Sequence, residues 1–194
     1  MKKEKNKILP TTNELNKIFE KEKYKSKYLK LLRSTIFILI LVIAISVLLS
    51  TLIIPVLEIK GNSMEPTLNN NNIVICIKKS KFKTGDIISF YYNNHILVKR
   101  IIGLPGDSVD IDSEGNIFIN DKLLKEPYIK EKVIGEYDIK LPYQVPEGSY
   151  FVMGDKRENS IDSRNSLIGT ISEEEIIGKI IVNVWPIKKF KIFK

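Results

Sequence analysis

The chain is 194 residues long and carries 31 Lys and Arg against 23 Asp and Glu, a formal net charge of +8. Its first 33 positions hold 11 of these basic residues and 4 Glu, so the remainder is nearly neutral and gives little support to a nucleic-acid partner. A single cysteine excludes an internal disulfide, and a single histidine without clustered carboxylates leaves a metal site unsupported, so no cofactor is expected.

An apolar run begins after Arg33 and predicts a transmembrane helix over residues 34–57. This run contains no charged side chain, and about 20 apolar residues are enough for a helix to cross a bilayer. The basic tail of residues 1–33 is expected to stay in the cytoplasm, which would place residues 58–194 outside it. The alternative is a cleaved secretory signal, but such a signal has a shorter apolar core and ends in small residues, whereas this run ends in bulky ones.

Short runs of β-branched and aromatic residues follow, separated by Gly, Pro, Asn and Asp, and these predict strands. The predicted strands are Ile73–Ile77, Asp86–Tyr92, Ile96–Ile102, Ser108–Ile111, Asn116–Ile119, Tyr150–Met153 and Lys179–Trp185. Residues 172–177 predict a helix start or a short turn, and residues 121–148 an insertion or an extended hairpin. The pattern therefore predicts a mainly β domain over residues 58–194, with Cys76 as a small buried hydrophobic residue in one of its strands.

Ser63 lies in the turn-forming sequence Gly61-Asn62-Ser63-Met64-Glu65-Pro66. Small and flexible neighbours allow its hydroxyl to project, and they allow backbone N–H groups to converge on one point, as an oxyanion hole requires. These features indicate a nucleophile. The alternative interpretation is an ordinary turn serine.

Lys99 lies in the apolar sequence 96–102, where an ammonium group would be poorly solvated. Desolvation lowers the pKa of a lysine, and a neutral amine can accept a proton from a serine hydroxyl. Arg100 faces the opposite side of the same strand, so one of the two side chains should point to a buried face unless the strand is at an edge. The alternatives are an edge-strand lysine that extends to water and a Ser-His-Asp triad that uses His95.

A polar loop over residues 154–164 follows the strand Tyr150–Met153 and contains carboxylates, hydroxyls and guanidinium groups. Such a loop could orient an amine by hydrogen bonding and lock itself with bidentate Asp–Arg pairs. The alternative interpretation is a solvated charged loop.

Four segments in a fixed order behind the apolar run resemble the bacterial type I signal peptidases, the membrane-bound Ser-Lys proteases that remove signal peptides from exported proteins. The segments are 61–68, 85–90, 99–107 and 154–164. The resemblance implies a mainly antiparallel β fold behind one anchor, with an apolar face on the lipid bilayer and no metal or organic cofactor. It also implies that secretory preproteins are the substrates and that the site lies near the translocation channel.

By position, the resemblance implies that Ser63 is the nucleophile, Lys99 the general base and Ser160 the serine that orients the lysine amine. Gly61 stands where some members carry a serine that helps to hold the oxyanion, so backbone N–H groups would carry more of that role. The implied supports of the polar loop are Asp155, Asp162, Arg100 and Arg164.

The resemblance also implies shallow apolar pockets that would admit Ala at the positions one and three before the cut. The residues that would line these pockets are Ile59, Met64, Leu68, Leu97 and Val98.

Two other functions are compatible with these residues. One is a self-cleaving Ser-Lys protease of the SOS-repressor kind, although that type carries a DNA-binding segment where this chain has its apolar run. The other is a non-enzymatic, membrane-anchored binding domain. Near the C-terminus, residues 185–190 mix aromatic residues with lysines, which fits either an interfacial membrane contact or a plain terminal strand.

Overall fold

The structure is a computed structural model that describes residues 11–78 and 81–193. The chain divides into two compact units, one up to residue 49 and one from residue 50 onward. The described part of the first unit is Thr11 and most of helix α1, and the second unit contains the end of that helix and every strand that the described residues form.

Helix α1 spans Thr12–Ile53, about 63 Å at the usual rise per residue. Thr11 begins it, because its carbonyl accepts the first helical hydrogen bond and its N–H and hydroxyl both donate to the Glu14 carboxylate. The helix ends before Pro55, which disfavours helical backbone at the residue preceding it. Within the described part of the chain it is the one helix long and apolar enough to cross a membrane.

The predicted span of residues 34–57 lies mostly within α1, but residues 56 and 57 belong to the first strand. Helical structure also extends back to Thr12, so the described part of the predicted basic tail is helical after Thr11. Residues 1–10 lie outside the described part.

Twelve strands follow in the second unit. They are β1 Val56–Glu58, β2 Ile73–Ile77, β3 Ile87–Tyr92, β4 His95–Gly103, β5 Ser108–Ile111, β6 Ile117–Ile119, β7 Lys122–Leu123, β8 Tyr143–Gln144, β9 Ser149–Met153, β10 Ile171–Ser172, β11 Ile176–Trp185 and β12 Lys191–Ile192. All seven predicted strands are present, with bounds that differ by at most three residues. The prediction of a mainly β fold is confirmed.

The strands form two antiparallel sheets. The larger has the order β1-β2-β11-β3-β4-β9-β10, with β12 paired to β11, and the smaller has the order β7-β6-β5-β8. Strand β4 therefore lies inside the larger sheet, between β3 and β9.

Three apolar clusters form the core of the second unit. One of them contains Ile59, Met64 and Leu68 from the segment around Ser63, together with Val74 and Cys76 of β2. Cys76 is buried in β2, as predicted, and this burial raises the pKa of its thiol. The segment that carries Ser63 is thus anchored in the core by apolar side chains on either side of it.

Two ambiguous segments take defined forms. In residues 172–177, Glu173–Glu175 forms a single 3-10 turn capped by reciprocal bonding between Ser172 and Glu175, and β11 begins directly after it. In residues 121–148, the chain contributes β7 and β8 to the smaller sheet and runs irregularly between them.

Candidate active site

Ser63 lies in a tight turn between β1 and β2. Gly61 has a φ of +96°, a conformation that favours glycine, and its N–H donates to the Asn70 side chain. On the other side of Ser63, the side chains of Met64 and Leu68 are 2% and 0% exposed. The Ser63 carbonyl accepts a hydrogen bond from Lys156 N–H at 2.9 Å, so the nucleophile candidate is fixed from two directions.

The backbone N–H of Ser63 has no hydrogen-bond acceptor among residues 11–78 and 81–193. Gly61, two residues before Ser63, supplies no side-chain donor. A free N–H on the nucleophile itself is the kind of donor that stabilises an oxyanion.

Lys99 lies on the internal strand β4, where it pairs with Ile88 of β3. Its Nζ lies 2.9 Å from Ser63 Oγ and 2.9 Å from Ser160 Oγ, and the residue is only 4% exposed. The alternative of an edge-strand lysine that extends to water is therefore wrong. The amine instead lies between two hydroxyl groups in a nearly dry site.

The pKa of Lys99 is lowered to about 8, chiefly because burial disfavours the charged amine. Among the surrounding charges, Asp162 and Asp155 act to raise this pKa, whereas Arg164 acts to lower it. A large neutral fraction of the amine is thus present a little above neutral pH. This is the protonation state that a general base requires.

Arg100 points away from Lys99 on the same strand, yet it is also buried, at 7% exposure. Its guanidinium forms a bidentate pair with the Asp155 carboxylate, with N–O distances of 2.8 and 2.6 Å, and it donates to the Gly85 carbonyl at 2.7 Å. The sequence predicted that one of the two side chains points to a more buried face or that the strand lies at an edge. Both faces are covered because the 154–164 loop is paired to Arg100 through Asp155.

The 154–164 loop is locked by a second bidentate pair. Arg164 donates to Asp162 at 2.8 and 2.9 Å, and Asp162 also accepts the Gly154 N–H at 2.9 Å. Burial alone would raise the pKa of Asp162, but the bonds from Arg164 and Gly154 hold it below its ordinary value. Since Asp162 and Arg164 are at most 1% exposed, the solvated-loop alternative is wrong.

Gly154 lies close to both Ser63 and Ser160. A Cβ atom added here would lie 2.6 Å from the Ser63 carbonyl oxygen and 2.6 Å from Ser160 Cβ, closer than real Cβ atoms approach. Only glycine leaves room for the two serines to meet the Lys99 amine together.

An apolar cleft of about 480 Å³ leads to this group of side chains. The residues that line it include Ser63, Lys99 and four of the five predicted pocket residues, Ile59, Met64, Leu97 and Val98. The fifth, Leu68, does not line the cleft. It belongs to the same core cluster as Ile59 and Met64 and is fully buried, because its N–H bonds to the Met64 carbonyl and the turn that follows bonds back to Ile59.

His95 lies in the same cleft at the exposed start of β4. Its side chain makes no hydrogen bond to Ser63 within the residues that the structure describes, whereas Lys99 lies 2.9 Å from the Ser63 hydroxyl. The geometry favours the lysine over the His95 triad.

Sequence reasoning missed one part of this site. Glu126, within the segment interpreted as an insertion, forms a buried ion pair with Arg157 of the polar loop. Neither hydrophobic periodicity nor turn composition signals a long-range ion pair of this kind. The only hint was the apolar and aromatic sequence Pro127-Tyr128 beside a carboxylate.

Known proteins similar to this chain are signal peptidases. A sequence profile described as signal peptidase, peptidase S26, matches residues 31–185, and signal peptidase I P of Bacillus subtilis subsp. natto is 35% identical over 90% of this chain and 98% of its own. The chain belongs to the signal peptidase family, peptidase S26. The resemblance inferred from the four motifs is confirmed.

Other proteins similar to this chain are also named signal peptidases. Signal peptidase I U of Bacillus subtilis is 40% identical over 66% of this chain and 74% of its own, and signal peptidase IB of Staphylococcus aureus is 36% identical over 69% and 78%. A crystal structure of a signal peptidase I from Enterococcus faecalis is 31% identical and covers 51% of this chain and 96% of that one, with a TM-score of 0.44.

Proposed function

We propose that this chain removes N-terminal signal peptides from exported preproteins, with Ser63 as nucleophile and Lys99 as general base. The observation that carries the proposal is the 2.9 Å distance between Lys99 Nζ and Ser63 Oγ, with the amine almost fully buried. Membership of the signal peptidase family supports the substrate class.

In the acylation step, the neutral Lys99 amine takes the Ser63 proton while Oγ forms a bond to the scissile carbonyl carbon. The resulting oxyanion would be held by the Ser63 N–H. The carbon–nitrogen bond then breaks, and the Lys99 ammonium gives its proton to the departing amine. A water molecule next attacks the ester carbon, with Lys99 again accepting the proton. The bond from this carbon to Ser63 Oγ then breaks, and the Lys99 ammonium returns the proton to Oγ, which restores the serine and the neutral amine and releases the signal peptide with a free carboxyl end.

Ser160 orients the base. The Ser160 hydroxyl accepts a hydrogen bond from the Lys99 amine at 2.9 Å, while the same amine also contacts the Ser63 hydroxyl. This bond restricts the rotamers that the long lysine side chain could adopt. The pairs Asp162–Arg164 and Arg100–Asp155 hold the loop that carries Ser160 and the strand that carries Lys99.

The apolar cleft would bind the residues before the cut. Its walls at Ile59, Met64, Leu97 and Val98 offer shallow apolar pockets, which suit Ala one and three positions before the scissile bond and disfavour bulky side chains. Leu68 would act indirectly, by supporting the wall formed by Ile59 and Met64.

The proposed topology follows from charge and hydropathy. Residues 1–33 form a basic cytoplasmic tail, residues 34–57 carry the membrane anchor within and just beyond α1, and residues 58–194 form the extracytoplasmic protease domain. Anchoring in the bilayer would keep the site near the translocation channel where preproteins emerge, and would raise their effective concentration.

The test is processing in trans. The full chain, purified in detergent, is incubated with a preprotein whose signal ends in Ala-x-Ala, and the new N-terminus is mapped by mass spectrometry. We expect one cut directly after that sequence and none with Ser63→Ala or Lys99→Ala. Cleavage by either variant would reject the Ser-Lys assignment, and self-cleavage without preprotein processing would favour the repressor-like alternative.

A further inference from the structure

The irregular chain between β7 and β8 contacts the 154–164 loop and the residues next to it at three places. We call residues 126–138 the clamp segment. It contains no helix or strand, yet it contributes charged and aromatic groups that are removed from solvent. A surface insertion without a role in the site would not be expected to bury such groups.

The first contact is the ion pair between Glu126 and Arg157. The Glu126 and Arg157 side chains are 1% and 2% exposed, and both terminal nitrogens of Arg157 donate to the Glu126 carboxylate, one of them at 3.3 Å. Arg157 Nε donates in addition to the Gly154 carbonyl at 3.0 Å. The clamp segment is thus connected through one guanidinium to the glycine that separates Ser63 from Ser160.

The second contact is made by Tyr128. Its hydroxyl donates to Glu126 at 2.9 Å, and its ring lies 3.7 Å from the Arg100 guanidinium carbon, a cation–π arrangement. Arg100 is the neighbour of Lys99 on β4 and is paired with Asp155 of the loop. Tyr128 therefore connects the ion pair of Glu126 to the strand that carries the base.

The third contact lies at the far end of the loop. Arg164 donates to the Ile134 carbonyl at 2.5 Å, and the Asp138 carboxylate accepts bonds from the Ser166 N–H and hydroxyl at 2.5 and 2.7 Å. The clamp segment thus bonds on both sides of Ser160, at Arg157 before it and at Arg164 after it.

We propose that Glu126 and Tyr128 are positioning residues for the Lys99 amine, acting through Arg157 and Arg100. The inference rests on the proposed function of Ser63 and Lys99. Neither residue touches the reacting atoms, but together they fix the backbone at Gly154 and the guanidinium of Arg100, which holds the strand next to Lys99 from its opposite face. Loss of these bonds would let the loop move away from the amine and would admit water to it.

Few charged groups surround Lys99 and Glu126, so the ion pair can be removed by substitutions that leave the net charge unchanged. Asp162, Asp155 and Arg164 act on the Lys99 amine, and Arg157 and Tyr128 face Glu126. Replacing Glu126 alone would leave the Arg157 charge buried without a partner. The double variant Glu126→Gln with Arg157→Gln removes the ion pair without changing the net charge.

The experiment measures two quantities on the full chain in detergent. The first is kcat and KM for a preprotein, and the second is the pKa of Lys99, obtained from the pH dependence of its competitive acetylation by acetic anhydride and mass spectrometry. We expect the double variant to lose about ten- to a hundredfold in kcat with KM within about twofold, because misplaced groups chiefly affect the chemical step. We also expect the Lys99 pKa to rise toward the ordinary lysine value as water enters.

Tyr128→Phe provides a second, milder variant that keeps the ring over Arg100 and removes only the bond to Glu126. We expect a smaller fall in kcat and a smaller rise in the Lys99 pKa than in the double variant. Glu136→Gln and Tyr137→Phe are matched controls, because both residues are exposed in the same segment, and both should behave as the unaltered chain. If the double variant does not fold, Tyr128→Phe decides the question.

An unchanged Lys99 pKa in both variants would overturn the proposal, even if activity fell in proportion to the folded fraction. Unchanged kcat per folded molecule would overturn it as well. The acetylation measurement needs no substrate cleavage. A failure of the unaltered chain to process any preprotein would therefore reject the proposed function separately from the clamp.

Discussion

Ser160 Oγ lies 2.9 Å from the Lys99 amine, the same distance that separates the amine from Ser63 Oγ. A flexible lysine is thereby held in one position by a second hydroxyl. Ser160→Ala should lower kcat by about tenfold or more and leave KM nearly unchanged, because binding of the preprotein does not depend on that hydroxyl. Ser113→Ala, at an exposed turn, is the control and should be as active as the unaltered chain. Equal kcat for the two variants would contradict the assigned role.

Replacing Gly154 by Ala should abolish activity in molecules that remain folded. The added Cβ would lie 2.6 Å from both the Ser63 carbonyl oxygen and Ser160 Cβ, so the two serines would be forced apart. Gly103→Ala is the matched control, since its Cβ would meet Val109 at 2.6 Å and Val145 at 3.0 Å in the core and would disturb packing away from the base. Preprotein cleavage per folded molecule, with folding followed by near-ultraviolet circular dichroism, should fall at least about a hundredfold for Gly154→Ala and little for Gly103→Ala.

The buried pair Asp162–Arg164 should contribute strongly to stability. Asp162→Asn leaves the Arg164 charge buried without its partner, which costs about 3–5 kcal/mol in free energy of unfolding. Glu65→Gln is the control, because Glu65 pairs with Lys156 at 3.5 Å in a partly exposed position and should cost at most about 1 kcal/mol. Guanidinium unfolding, followed by fluorescence of the single tryptophan, measures both.

The sign of the pH dependence for Asp162 follows from its lowered pKa. A carboxyl whose pKa is lower in the folded state stabilises the protein above its unfolded pKa, and this contribution is lost as the pH falls through the folded value. The destabilising effect of Asp162→Asn should therefore shrink in acid. An effect that stays constant down to the pH of acid unfolding would contradict the assigned ionisation.

Cleft residues and core residues should differ in their effects on specificity. Leu97→Ala enlarges the apolar cleft and should raise cleavage after residues larger than Ala by about tenfold relative to Ala, within the range that one or two methylene groups provide. Leu68→Ala should instead cost about 2–5 kcal/mol of stability and leave the preference nearly unchanged, because Leu68 lies in the core and does not line the cleft. Competition between two preproteins that differ only before the cut measures the preference.

Much of this molecule could be predicted from local sequence. Strand patterns and turn residues predicted β2 and β5 with their full bounds, because a strand's alternation and its flanking turns are local properties. The order of the four motifs predicted Ser63 and Lys99, which the fold brings within hydrogen-bonding distance.

The remainder depends on contacts between distant segments. Leu68 was predicted to line a pocket, but whether an apolar side chain faces a cleft or the core depends on how the turn after it packs. The burial of both Lys99 and Arg100 depends on the covering of β4 by a loop more than 50 residues away in sequence. The ion pair of Glu126 with Arg157 likewise joins residues 31 positions apart, and no local pattern encodes it.

The most direct test of a neutral Lys99 base beside Ser63 is the pH dependence of kcat/KM for preprotein cleavage, which reports the pKa of the free enzyme's base. Because only the neutral amine can accept the Ser63 proton, activity should be low in acid and should rise with pH to a plateau, with a midpoint at about 8. A midpoint near 10.5, the ordinary lysine value, would contradict the account. A rise of kcat/KM through the same midpoint in the Lys99→Ala variant would also contradict it.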